Sequence, residues 1–257
     1  MFKSDNHVQG ENGQQEQNDN DDDNRNRLSI YDTSEIDNGI LVTPNIFEGA
    51  TVVHEQTEQV TKSPEQYQAV EQAVRDLLDA FNVNWDDPNY TDTPKRVTKA
   101  YLDYWVSGYG RDPRDEITVF PNESGTDDMV MVKDMRFYSL CSHHLAPIEG
   151  YAAIAYIPNK YLLGLSKLGR ILEIYARRFQ LQERIGQQTA DTLMDLLRPK
   201  GVMTVLYNVK HGCMSSRGVK LHESNTTTSA IRGIFRDDSA LRAEAMSLLS
   251  LKSPHTP

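Results

Sequence analysis

From Asp128 to Leu251 the chain spells strand, strand, helix, helix, strand, strand, helix, and this order excludes most α/β architectures. The runs "MVMVKDMRFYSLC" (129–141) and "YAAIAYIP" (151–158) are short, β-branched or aromatic, and end on turn signals such as Pro158-Asn159. "SKLGRILEIYARRF" then recurs at helical spacing, with Ser166 as its cap and Leu168, Ile171, Leu172 and Tyr175 on one stripe. "ERIGQQTADTLMDLLRP" predicts a second helix, stopped at Pro199. "VMTVLYNVKHGC" and "SNTTTSAIRGIF" predict two more strands, and "DSALRAEAMSLLSL" a closing helix. Strands that come in adjacent pairs are joined most simply as hairpins, so the expected fold is α+β with an antiparallel sheet and packed helices, not a doubly wound parallel sheet.

Two helices precede this core. Ser63 caps the first, with Pro64 at the opening position where its missing N–H costs little. Val70, Val74, Leu77, Leu78 and Phe81 make its stripe. "DTPKRVTKAYLDYWVSGYG" repeats the pattern: Asp92 or Thr93 as cap, Pro94 at the start, Gly108 near the stop, and Val97, Tyr101, Tyr104 and Trp105 as the apolar face. Arg96 and Lys99 leave from another side, three residues apart and therefore neighbours.

Charge divides the chain. Residues 1–60 hold thirteen acids and three bases, which equals the whole net charge of −10, so the remainder balances to zero. The stretch "QGENGQQEQNDNDDDNRNR" has too few apolar side chains to offset chain entropy. Residues 1–62 are therefore expected to be a disordered acidic tail, a solubilising arm. Residues 63–257 are expected to be one folded domain, with N-terminal helices at 64–110 and the core at about 115–251. No apolar run nears the ~20 residues of a membrane span, and the N-terminus lacks a signal pattern. The expectation is a soluble, cytoplasmic protein with no membrane or nucleic-acid partner.

Only two cysteines occur, Cys141 and Cys213, too few for a disulfide framework. Cys141 and His144 have C-x-x-H spacing in "CSHHLAPIEGY", and Cys213 ends another predicted strand in "KHGC". Two sulfurs and an imidazole suit Zn2+, and three ligands leave a fourth place open, as in a catalytic site. A C-x-x-H arising by chance, with buried free thiols, is the rival reading; the histidine beside the second cysteine weighs against it. Zinc lowers the pKa of water to about 7. His143 and His211 would then be placed to move protons beside it.

"CSHHLAPIEGY", "LGLSKLGRILEIYARRFQLQERI" and "HGCMSSRGV", with "TPKRVTK" upstream, resemble GTP cyclohydrolase I in order and spacing over about residues 64–250. The resemblance implies a tunnelling fold, a homodecamer with active sites between subunits, and conversion of GTP and water to 7,8-dihydroneopterin triphosphate and formate. It implies Cys141, His144 and Cys213 as zinc ligands, and His143 and His211 as acid/base residues. Glu183 would hold the guanine, Gln182 would be a further substrate-binding residue, and Ser166, Lys167, Arg170, Arg217, Arg96 and Lys99 would surround the triphosphate. The residue types suit that substrate. Arg and Lys make charge-assisted hydrogen bonds to phosphate, and one carboxylate can accept both N1–H and N2–H₂ of guanine. Adenine, an acceptor at N1, would strand that charge.

Three positions depart from the family pattern. Ser142 stands where glutamate is commoner, Gly212 where a bulkier residue is usual, and Gly186 is unexpected in a helix. Ser142 and Gly212 predict altered support of the metal and a looser strand end at His211; Gly186 predicts a weaker helix start. The alternatives are a relative acting on another pterin or deazapurine, a variant that stops at an earlier product, and a nucleotide-binding regulatory subunit. The downstream pathway (folate, biopterin or modified base) and any regulatory partner are left open.

Overall fold

The computed structural model describes residues 62–217 and 222–251; the expected acidic tail lies outside the described residues. Helix α1 (Pro64–Ala80) starts as expected, with the Ser63 hydroxyl accepting from Gln66 N. Helix α2 (Thr93–Lys99) runs on as a π-wound segment over Ala100–Trp105. Asp92 holds the cap position without a side-chain bond.

The core follows in the expected order. Strand β1 (Val119–Pro121) pairs with β4 (Tyr161–Leu163), a small ribbon too short to register in the sequence. Strands β2 (Val130–Cys141), β3 (Pro147–Ile157), β5 (Phe179–Gln180), β6 (Gly201–His211) and β7 (Thr226–Gly233) form one sheet in the order β5-β2-β3-β6-β7. Every pairing in it is antiparallel except the two-residue contact of β5 with β2. Helices α3 (Leu165–Ala176) and α4 (Gln182–Leu197) cover one face; a short turn, α5 (Gly212–Ser215), follows β6, and α6 (Ser239–Ser250) covers part of the other face. This is the α+β, tunnelling-fold arrangement expected from the sequence.

Strand periodicity assigns the faces. Ala152, Ile154 and Tyr156 of β3 and Val202 and Leu206 of β6 pack with Leu168, Ile171, Tyr175, Ile185 and Leu193 of α3 and α4. The alternate residues Ala155, Ile157, Met203 and Val205 join Phe235 and Ala245.

Two extra residues disturb this regularity. In β2, Val132 pairs with Ile154 but Met135 with Ala152; in β6, Tyr207 pairs with Tyr151 but Lys210 with Glu149. Asp134 and Asn208 sit at the bulges with φ of 57° and 50°, a conformation that Asp and Asn tolerate better than most residues. Adding one residue to a strand flips every later side chain to the opposite face. Past its bulge, β2 therefore sends Phe137 and Cys141, and β6 sends Val209, to the helix-covered side. His211, two residues beyond Val209, shares that side and reaches Gln182 at the start of α4. Without the bulges the two strand ends would present these groups to the other face.

Three expectations need correction. Ser166 is not the cap of α3: Gly164 holds that position, and Ser166 lies within the first turn. Tyr104 and Trp105 are exposed, and the buried face of the second helical stretch is Pro94, Thr98, Leu102 and Val106, a strict i+4 series. The stripe of α1 is only half covered, with Leu77 and Phe81 exposed and no residue of that helix fully buried. Apolar periodicity finds a helix, but it does not say which neighbour covers it.

Candidate metal and proton-transfer site

The β2–β3 hairpin carries the first half of the site. Cys141 N donates to Ala146 O and Leu145 N donates to Cys141 O, both at 2.8 Å, so residues 141–146 close into a tight loop. Leu145 takes φ of 52° to complete it. Ser142 N donates to Gln180 O on β5, fixing the loop to the neighbouring strand. Cys141 is buried, whereas Ser142, His143 and His144 are exposed.

The second half comes from the end of β6, where His211 pairs with Ile148. The chain then turns into α5, which brings Cys213 back toward Cys141. Gly212 makes this turn possible at close quarters: a Cβ there would lie 3.2 Å from both Cδ and O of Pro147 and 3.5 Å from Cβ of Ala146. The strand end is therefore held tightly against the hairpin, not loosened as the small residue suggested.

One ligand atom from each of Cys141, His144 and Cys213 lies within 4.8 Å of the others, and Cys141 Sγ is 3.9 Å from His144 Nδ1. Ligand atoms around a tetrahedral zinc stand roughly 3.5–3.8 Å apart, given bond lengths near 2.3 Å for sulfur and 2.0 Å for nitrogen. The three groups thus fit such an ion after contraction of well under a bond length each, and thiolate with imidazole is a soft set that suits it. Burial and the neighbouring Cys141 push the Cys213 thiol up, partly offset by Arg217. Without a metal, burial thus favours Cys213 as the thiol.

His211 is half-buried, and its Nε2 lies 2.8 Å from Gln182 Oε1. Burial pushes its pKa down, with the Glu183 charge partly opposing. Gln182, expected among the substrate-binding residues, is itself buried. Its amide donates to Thr228 Oγ1 at 3.1 Å, and its carbonyl also accepts from the Thr226 hydroxyl. That side chain orients His211. Glu183 is exposed in the first turn of α4, where the helix N-terminus favours a carboxylate. His143 stands edge-on to His144 with ring centroids 6.1 Å apart. Arg217 Nη1 donates to His144 Nε2 at 2.7 Å.

The remaining basic residues belong to helices α2 and α3. The C-terminal end of α3 adjoins the site, because Phe179 and Gln180 pair with Leu140 and Cys141. Ser166 and Lys167 are at the other end, about 15 Å along the helix. Arg170 is tied to Glu116 at 3.1 Å, and Glu116 also accepts from Arg111 at 2.7 Å. Arg96 donates to Asn89 O at 3.0 Å and faces Asp92 at 3.7 Å; Lys99 is exposed on the same helix. Sequence reading missed Glu116, Thr226 and Thr228 as supports, since each acts across 17 or more residues on a group that spacing cannot connect to it.

The GTP cyclohydrolase I family model matches residues 70–250. The chain is 46% identical over 184 residues to GTP cyclohydrolase 1 of Clostridioides difficile, covering 71% of this chain and 96% of that protein. It is 46% identical over 186 residues to GTP cyclohydrolase 1 of Carboxydothermus hydrogenoformans, covering 72% and 95%. Against GTP cyclohydrolase 1 of Wolinella succinogenes it is 42% identical over 178 residues, covering 69% and 94%.

Proposed function

The chain belongs to the GTP cyclohydrolase I family and is an enzyme of that activity, and from this premise we propose that it is zinc-dependent and converts GTP and water to 7,8-dihydroneopterin triphosphate and formate. The observation that carries the metal reading is the convergence of Cys141, His144 and Cys213 at the fused ends of two bulged strands. These residues would hold the ion, which supplies a Lewis acid able to make water nucleophilic at neutral pH.

The chain's own groups do the rest. His211 is neutral in its half-buried setting, and its Nε2–H donates to Gln182 Oε1, so Nδ1 is the nitrogen left to take up and return a proton. His143, exposed beside the ligand His144, is placed as the second acid/base group. Glu183 accepts N1–H and N2–H₂ of guanine, and Gln182 serves it indirectly by holding His211. Water adds at C8 of the purine and the C8–N9 bond breaks to leave a formamide. A second water cleaves C8–N7 to release formate. After the ribose rearranges to a ketone, the freed amine condenses with it, returning one water as the pterin ring closes.

Arg217 lies at the metal site, while Ser166, Lys167 and Arg170 are at the far part of α3 and Arg96 and Lys99 on α2. A triphosphate bound by all of these needs basic side chains from neighbouring copies, which supports a homo-oligomer, of decamer type, with sites between subunits. The exposed Leu77, Phe81, Tyr104 and Trp105 on the N-terminal helices supply apolar surface for such an assembly.

The test is proton NMR of zinc-loaded protein with GTP. The expected result is a formate signal that grows with a pterin chromophore and disappears on His211→Ala. Bound zinc and intact assembly without formate would contradict the assignment.

A further inference from the structure

Arg217 and a metal ion make incompatible demands on one imidazole. The guanidinium has donors only, so the 2.7 Å contact of Arg217 Nη1 with His144 Nε2 requires Nε2 to be the unprotonated nitrogen. A neutral imidazole carries one proton, which then sits on Nδ1, the atom 3.9 Å from Cys141 Sγ and facing the other ligands. Coordination through Nδ1 needs that lone pair free. The proton must then be on Nε2, where it points at the guanidinium. Donor would face donor, so the Arg217 contact cannot survive.

We infer that Arg217 and the metal compete for His144, so that metal loading releases Arg217 to bind the nucleotide's phosphates. This rests on the reading of Cys141, His144 and Cys213 as metal ligands. Arg217 is exposed, two residues past α5, and hydrogen-bonds to no other described residue in this arrangement, so among the described residues none other holds it back once His144 lets go. Metal and nucleotide then bind with positive coupling, each favouring the state in which Arg217 has left the imidazole. The metal-free protein is closed to the triphosphate at this position by its own histidine.

Two measurements test it. Cobalt(II) titration of metal-free protein, followed by thiolate-to-cobalt absorption, is expected to show Arg217→Ala binding the ion on the order of tenfold more tightly than wild type, the weight of one charge-assisted hydrogen bond. Arg217→Gln, which keeps a neutral donor, should fall between. Equal or weaker affinity in Arg217→Ala would make Arg217 a support of His144 and overturn the inference. Absence of the cobalt signal in wild type would instead remove the metal reading itself. In chelator, metal-free His144→Ala is expected to bind GTP several-fold more tightly than metal-free wild type, because Arg217 is already free. No gain there would overturn the release of Arg217 toward phosphate.

Discussion

The hairpin end of the sheet and the helical flank made by α2 and α3 differ in how they hold functional groups. At the hairpin end, Cys141, His144, Cys213, His211 and Gln182 come from three separate stretches of chain and meet within one subunit. On the flank, Arg170 is tied to Glu116 and Arg96 to Asn89 O, Lys99 is exposed and Lys167 half-buried. The first region is built for reaction chemistry, which needs fixed geometry among a few atoms. The second is built for charge, and a charged surface can be completed by another copy of the chain. Under the proposed function, one subunit would carry the reacting centre and only part of the grip on its substrate.

Removing a ligand should break the first region most severely. Cys213→Ala is expected to lower metal affinity by more than about 100-fold, the upper range seen even for outer-shell partners, and to abolish formate release. Metal analysis and turnover on the same sample check both. His211→Ala should retain metal and lose kcat by about 10²–10⁴-fold, the usual weight of a general acid or base. A parallel loss of metal would place His211 among the supports of the ion.

Lys167→Ala with Arg170→Ala sharpens the contrast from the other side. Metal content should be unchanged while KM for GTP rises roughly tenfold or more, since charge-assisted phosphate contacts are lost. The smallest effect belongs to Gly186, buried in α4, where a Cβ would meet only Ala230 at 3.7 Å and Thr204 at 4.0 Å. Gly186→Ala should raise stability by about 0.5–1 kcal/mol in chemical denaturation without altering turnover.

Legibility followed the same division. Helix α1 with its Ser63 cap, the paired long strands and the final helix were readable because period, cap and turn chemistry are local. The C-x-x-H of Cys141 and His144 was readable for the same reason. The extra residues at Asp134 and Asn208 were not: both strands read as uninterrupted runs, and only pairing with β3 reveals the shift that turns Cys141 and His211 to the helix side. The anchoring of Gln182 was not readable either, because the threonines that hold it lie 44 and 46 residues away. Tyr104 and Trp105 looked like core because they are large and apolar, but the π-wound stretch and the i+4 series from Pro94 to Val106 leave them on the outside.

The division between the two regions can be tested by mixing them. Cys213→Ala subunits lack the reacting centre, and Lys167→Ala/Arg170→Ala subunits lack the phosphate grip. Co-expressed with different tags and purified through both, the mixed assembly should recover a substantial fraction of wild-type formate release at low GTP. At some interfaces an intact centre would face intact basic residues. Mixed assemblies no more active than the two separate variants would show that each subunit completes its own site, and would contradict the account.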